Sequence, residues 1–135
     1  MEIDDALRAR VRDDLPEVED IRDEELRDKV VEAWALALAR SSFGGIGEIE
    51  PSGNPGQNTL KRVTHIDHIR GVTRLAMSMA EQMSRLFPDL EIDRDILIAG
   101  ALCHDIGKPF EFDPKNRAKW DANPRAAGRP AIRHP

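Results

Sequence analysis

The chain has 135 residues, 40% hydrophobic and 33% charged, with a formal net charge of −5. That length suits one unit with a real core, and the composition excludes a disordered chain. The acidic balance argues against general nucleic-acid binding, which needs a basic face to neutralise phosphates, and no apolar run reaches the roughly 18–20 residues of a membrane span.

The first residues, Met1-Glu2-Ile3-Asp4-Asp5, are acidic and lack the charged-then-apolar pattern of a signal peptide. Residues 2–14 carry Ile3, Leu7 and Val11, spaced by four on an otherwise charged helix that should stop near Pro16. Residues 23–42 predict a stronger helix, with Leu26, Val30, Trp34 and Leu38 on one stripe and Val31, Ala35 and Ala39 widening it. The first 32 residues hold 13 acidic side chains, read as a solvated face.

Residues 43–58, with five glycines and two prolines, predict a long loop, either a flexible connector or a lid over a neighbouring site. They lack the lysine and serine or threonine spacing of a phosphate-cradling loop.

The next helix runs from about Leu60 or Thr64 to Phe87, stopped by Pro88. One face reads His65, His68, Val72, Leu75, Met79, Met83 and Leu86, so both histidines lie on an apolar stripe. A lone histidine there is usually a satisfied core residue, but two together point to ligand roles. Their spacing of three, with no glutamate between, is not that of the zinc-peptidase helix.

Residues 96–103 are apolar on every side and predict a helix buried on most faces. Asp93 is its natural N-cap, and Gly107 suits a left-handed residue beyond its end. Cys103 is the single cysteine, so no internal disulfide forms and it reads as a small apolar residue; a cytoplasmic location is the expectation. The run ends in His104-Asp105-Ile106-Gly107-Lys108. A buried helix that delivers an imidazole and a carboxylate at its last turn must satisfy both, and a divalent cation does so. After Lys108 the chain turns basic and proline-rich. A short helix from Asp113-Pro114 to Trp120 is expected, then extended chain through Arg133-His134-Pro135.

Taken together, these features resemble the HD-domain superfamily of metal-dependent phosphohydrolases. His104-Asp105-Ile106-Gly107 resembles that family's signature, and His68 through Ala76 is similar to its first motif, with Val72, Leu75 and Ala76 in register. His65, with Ile69 four residues on, offers a second register for that motif; His68 fits it better. The resemblance implies an all-α, irregular helical bundle of four long helices and a short one, its core including Leu26, Val30, Trp34, Leu38, Val72, Leu75, Met79, Ile98, Ala101 and Leu102.

The resemblance implies His68, His104 and Asp105 as metal ligands, holding Mn, Fe, Co, Ni, Zn or Mg. Asp105 and Lys108 are implied as catalytic, and Lys108 and Arg70 toward a substrate phosphate, with Arg74 a further candidate. His65 and His134 are additional site candidates, His134 matching a histidine that two-metal members use. The family's last metal-binding aspartate is expected beyond residue 135, since Asp113 and Asp121 follow too closely on the His-Asp pair. The expected organisation is N-terminal helices at 1–42, a loop at 43–59, metal-site helices at 60–108 and a basic tail at 109–135. The implied activity is hydrolysis of a small phosphate ester, a nucleotide among the candidates, with no membrane partner. The alternative is a non-catalytic module that binds a nucleotide or a partner protein.

Overall fold

The structure, a computed structural model, describes residues 1–51 and 62–123. Six α-helices and two 3-10 segments make up the regular elements among them, with no strand. The helices are α1 (Asp5–Asp14), α2 (Glu24–Ala39), α3 (His65–Leu86), α4 (Arg94–Cys103), α5 (Lys108–Phe112) and α6 (Pro114–Asp121). The 3-10 segments are Pro16–Asp20 and Ile46–Glu48. The expected all-α bundle is what forms.

Side-chain caps set the helix starts. The carboxylates of Asp4, Asp23 and Asp93 accept from the backbone N–H groups of Leu7, Leu26 and Ile96, opening α1, α2 and α4. Each satisfies one of the donors that a helix start leaves without an intrahelical partner. Proline at position 16 ends α1 and opens the 3-10 segment.

The core is one cluster. Trp34, Leu38, Ile69, Ile98 and Leu102 are fully buried where α2, α3 and α4 meet, and Leu7, Val11 and Leu15 close it from α1. Burying a side chain of this size contributes about 1.5–3 kcal/mol relative to exposure. Trp34 is the largest of them, and its indole Nε1–H donates to the Leu102 carbonyl at 2.9 Å. That bond ties the middle of α2 to the last turn of α4, two residues before His104.

Three expectations need correction. In α3 the buried face is His65, Ile69 and Thr73, with Ile66 and Met77 partly buried beside it. Leu75 and Met79, expected in the core, are 70% and 67% exposed. Residues 75 and 79 follow 69 and 73 by six residues, which leaves them about 120° round the helix, so the two sets occupy different sides. In α4 only Ile98, Ala99 and Leu102 are buried, and Ile96 is 59% exposed, so the helix is covered on one side and not on most. Gly107 has φ −80°, not the left-handed value, and caps the start of α5, a short helix that the proline-rich sequence did not suggest.

The expected loop at 43–58 is partly structured. Within its described part, Ile46, Ile49 and Pro51 are buried, and the Ile46–Glu48 turn packs on α3. Residues 52–58 of it lie outside the described residues. Val72, Ala101 and Leu26 are partly buried. Among the described residues, no helix is long and apolar enough to cross a membrane.

The Trp34 bond and the α3 register are separately testable. Trp34→Phe leaves the Leu102 carbonyl buried without its donor and should cost at least about 1–3 kcal/mol in urea unfolding at unchanged m-value. Leu75→Ser and Met79→Ser should each stay within about 0.5 kcal/mol of the wild type, as surface substitutions do. A loss above about 2 kcal/mol at either, the range of a core truncation, would contradict the register.

Candidate metal centre

Two helix ends build the site. α3 begins at His65, with the Asp67 carboxylate reaching back 2.8 Å to the Thr64 N–H. This fixes the first turn, which presents His65 and His68 one above the other, their rings stacked at 5.5 Å. From the opposite helix, His104 stands at the C-cap of α4 and Asp105 follows in the turn before α5. α3 and α4 pair more extensively than any other two elements, which brings these ends together.

Asp105 Oδ2 is the hub of the cluster. It lies 3.0 Å from His68 Nε2, 3.3 Å from His104 Nε2 and 3.8 Å from His65 Nε2. The Nε2 atoms of His68 and His104 are themselves 3.2 Å apart. His104 Nδ1 lies 2.6 Å from the Ala101 carbonyl oxygen, which can only accept, so its proton is on Nδ1 and its Nε2 carries a lone pair. Electron pairs from different residues therefore converge on one point.

The donor atoms of His68, His104 and Asp105 all lie within 4.8 Å of one another. Donors bound at about 2.1 Å to one cation and set at right or tetrahedral angles stand about 3.0–3.4 Å apart. The observed 3.0, 3.2 and 3.3 Å fall in that range. Two imidazoles and a carboxylate form a borderline-to-hard donor set, which suits a divalent first-row cation. The residues present fit such an ion.

The remaining candidates are distributed as follows. His65 is fully buried, its backbone N–H bonded to the Ile49 carbonyl at 3.0 Å and its Nδ1 to the Pro51 carbonyl at 3.0 Å. Burial pushes its pKa below the ordinary imidazole range, so the ring is neutral. Lys108 Nζ is bonded to the buried Glu111 carboxylate at 2.8 Å and lies 5.3 Å over the Phe112 ring. Arg70 Nε donates to both oxygens of Glu17, at 3.0 and 3.1 Å, clasping the first 3-10 segment. Arg74 lines a groove of about 630 Å³ with Glu17, Asp20 and Glu81, to which none of the clustered histidines contributes. His134 lies outside the described residues. Cys103, half-buried, has its thiol pushed up to about 11 by burial and stays protonated at neutral pH.

Asp113 is engaged by the fold: it accepts from the Ser42 N–H at 2.8 Å, the Ser42 hydroxyl at 3.1 Å and the Lys115 N–H at 2.9 Å. The sequence reading did not single out Glu111, although its place three residues after Lys108 on one helix was a usable signal. Nor did it find the Pro51 carbonyl, which reaches His65 across a chain separation that no local pattern encodes.

Residues 65–129 match the family model of the HD domain. Over that stretch, a little under half of its length, the chain is similar to the HD domain. It is similar to the dihydroneopterin 2',3'-cyclic phosphate phosphodiesterase of Methanocaldococcus jannaschii, with 33% identity over 108 residues. That alignment takes in 76% of this chain and 42% of the relative, so the chain spans less than half of the relative's length. No solved structure matches it significantly.

Acid should loosen this end of the molecule. With a folded pKa below the unfolded value of about 6.5, His65 binds fewer protons in the native state than in the unfolded one. Its contribution is complete above the unfolded value and is lost as pH falls through the folded one. Unfolding free energy, measured by denaturant titration in the presence of chelator, should therefore decline below about pH 6.5. A flat profile from pH 7 to 5 would show that His65 titrates normally.

Proposed function

We propose that this chain is a metal-dependent phosphohydrolase acting on a phosphate ester, with His68, His104 and Asp105 holding a divalent cation. The observation that carries this reading is the convergence of their donor atoms at 3.0–3.3 Å. The HD-domain match over residues 65–129 supports it.

When bound, the cation would supply a water of lowered pKa and a Lewis acid toward a phosphoryl oxygen. The chain's own residues do the rest. His104 keeps its Nε2 unprotonated through the Ala101 carbonyl, so the donor is ready without a change of tautomer. Asp105, whose Oδ2 sits among the donors, is placed to orient an attacking water beside them. Lys108, one turn beyond, offers positive charge to the phosphate in exchange for part of its bond to Glu111. Arg70 is committed to Glu17 and holds α3 in place. The donor set admits Mn, Fe, Co, Ni, Zn or Mg, and the reading takes the protein to work in the cytoplasm on a small phosphorylated molecule. The M. jannaschii relative is named for a cyclic phosphodiester, so 2',3'-cyclic nucleotides and bis(p-nitrophenyl) phosphate are the first substrates to try.

The test is hydrolysis of these two by the purified protein with each metal in turn, beside Asp105→Asn. Metal-dependent product release that falls at least about 1,000-fold in Asp105→Asn, the scale of losing one centrally placed catalytic group, supports the reading. Stoichiometric metal without turnover would favour a module that binds a nucleotide or a partner protein.

A further inference from the structure

His65 is the one buried side chain among the described residues with a polar atom left without a hydrogen-bond partner, and that atom is Nε2. Its ring orientation is fixed twice over. The Nδ1 edge meets the Pro51 carbonyl at 3.0 Å, and the backbone N–H holds Ile49. Because a carbonyl only accepts, the proton sits on Nδ1 and Nε2 presents a bare lone pair. That lone pair faces Asp105 Oδ2 at 3.8 Å, so two acceptors confront each other. Orphaned polar atoms in a protein interior are costly, and each needs an explanation.

Two occupants could lie between them. A water bridging two acceptors stands about 2.8 Å from each, and His65 Nε2 has no solvent-accessible surface to receive one. A cation is smaller: two donors at about 2.1 Å from one ion are separated by up to about 4.2 Å, which admits 3.8 Å. Two bare acceptors facing each other at 3.8 Å are a pair that one shared cation would satisfy.

We propose that His65 is a fourth metal ligand of this centre, giving the chain a three-histidine, one-aspartate donor set drawn wholly from its described residues. The proposal rests on the metal-centre reading above. His65 lies outside the set of donors already within 4.8 Å of one another, so loading draws its ring toward Asp105, with the 49–51 segment following through its two bonds to His65. The cation thereby couples the start of α3 to that segment.

The test reads ligation directly, without turnover. The chain contains four histidines; labelled with ¹⁵N-histidine and titrated with Zn²⁺, it reports each imidazole nitrogen by NMR. The expected result is that Nε2 of His65, His68 and His104 all move to metal-bound shifts. His65→Asn supplies the assignment: its amide can still donate to Pro51 while lacking the Nε2 donor. As loss of a direct ligand it should weaken Zn²⁺ affinity by more than the roughly 100-fold that loss of an outer partner costs, with the metal-free melting temperature retained. Movement of His68 and His104 while His65 keeps the shift of a neutral, unbound imidazole overturns the proposal and leaves the metal centre standing. Movement of none overturns both. If His65→Asn does not fold, the wild-type spectrum alone decides, with His68→Asn and His104→Asn supplying the assignment by elimination.

Discussion

The arrangement turns on a single carboxylate. Asp105 Oδ2 stands within 3.8 Å of three imidazole nitrogens, contributed by the first turn of one helix and the last residue of another. A cation shared among them would satisfy all of these donors at once. The rest of the fold can be understood as a frame that keeps these two helix ends apposed at the cost of burying polar groups. Trp34 is the central strut, since its indole both fills the core and holds the Leu102 carbonyl just ahead of the His-Asp pair.

Aspartates do much of the fastening elsewhere, and they explain how an acidic chain holds together. Asp95 on α4 accepts from the Arg22 and Asp23 N–H groups at 3.0 and 2.9 Å, pinning the start of α2. Asp113 accepts from Ser42, pinning the chain just past the end of α2 and capping α6. The helix is thus tied at both ends to the segments that flank the site. These contacts are charge-assisted bonds to backbone donors, stronger than neutral ones. The Arg12 pairs with Glu19 and Asp28 are exposed and contribute less.

Much of this was legible from residues alone. The cap at Asp93 and the stops near Pro16 and Pro88 depend on local chemistry, and the grouping of His68 with His104 and Asp105 followed from the family resemblance. The register of α3 was not. Apolar residues occur on two sides of that helix, and the sequence favoured Val72, Leu75 and Met79. The buried side keeps His65 but continues through Ile69 and Thr73, and the bonds that hold Thr73 and the Nδ1 edge of His65 are invisible to a hydropathy pattern. Thr73 donates to the Ile69 carbonyl at 2.8 Å within its own helix, and His65 finds Pro51 fourteen residues earlier. A polar residue whose partner is non-local reads as exposed until the partner is known. The same reasoning applies to Arg70, which was expected toward a substrate phosphate but is spent on a buried glutamate fifty-three residues away.

The charge balance at the site then sets an order of events. Lys108 and Glu111 cancel each other, so without a cation the neighbourhood keeps the negative charge of Asp105 and repels a phosphate. A divalent ion reverses that sign, and the low-dielectric surroundings of the buried His65 and Glu111 make the reversal count for more than it would in open water. On the proposed function, affinity for an anionic substrate would follow from metal loading and not from a standing basic patch, which would reconcile a net charge of −5 with phosphate chemistry. About half of its acidic N-terminal side chains are held in ion pairs, and on the proposed reading the attraction toward phosphate would be created locally, at the one carboxylate where the histidines meet.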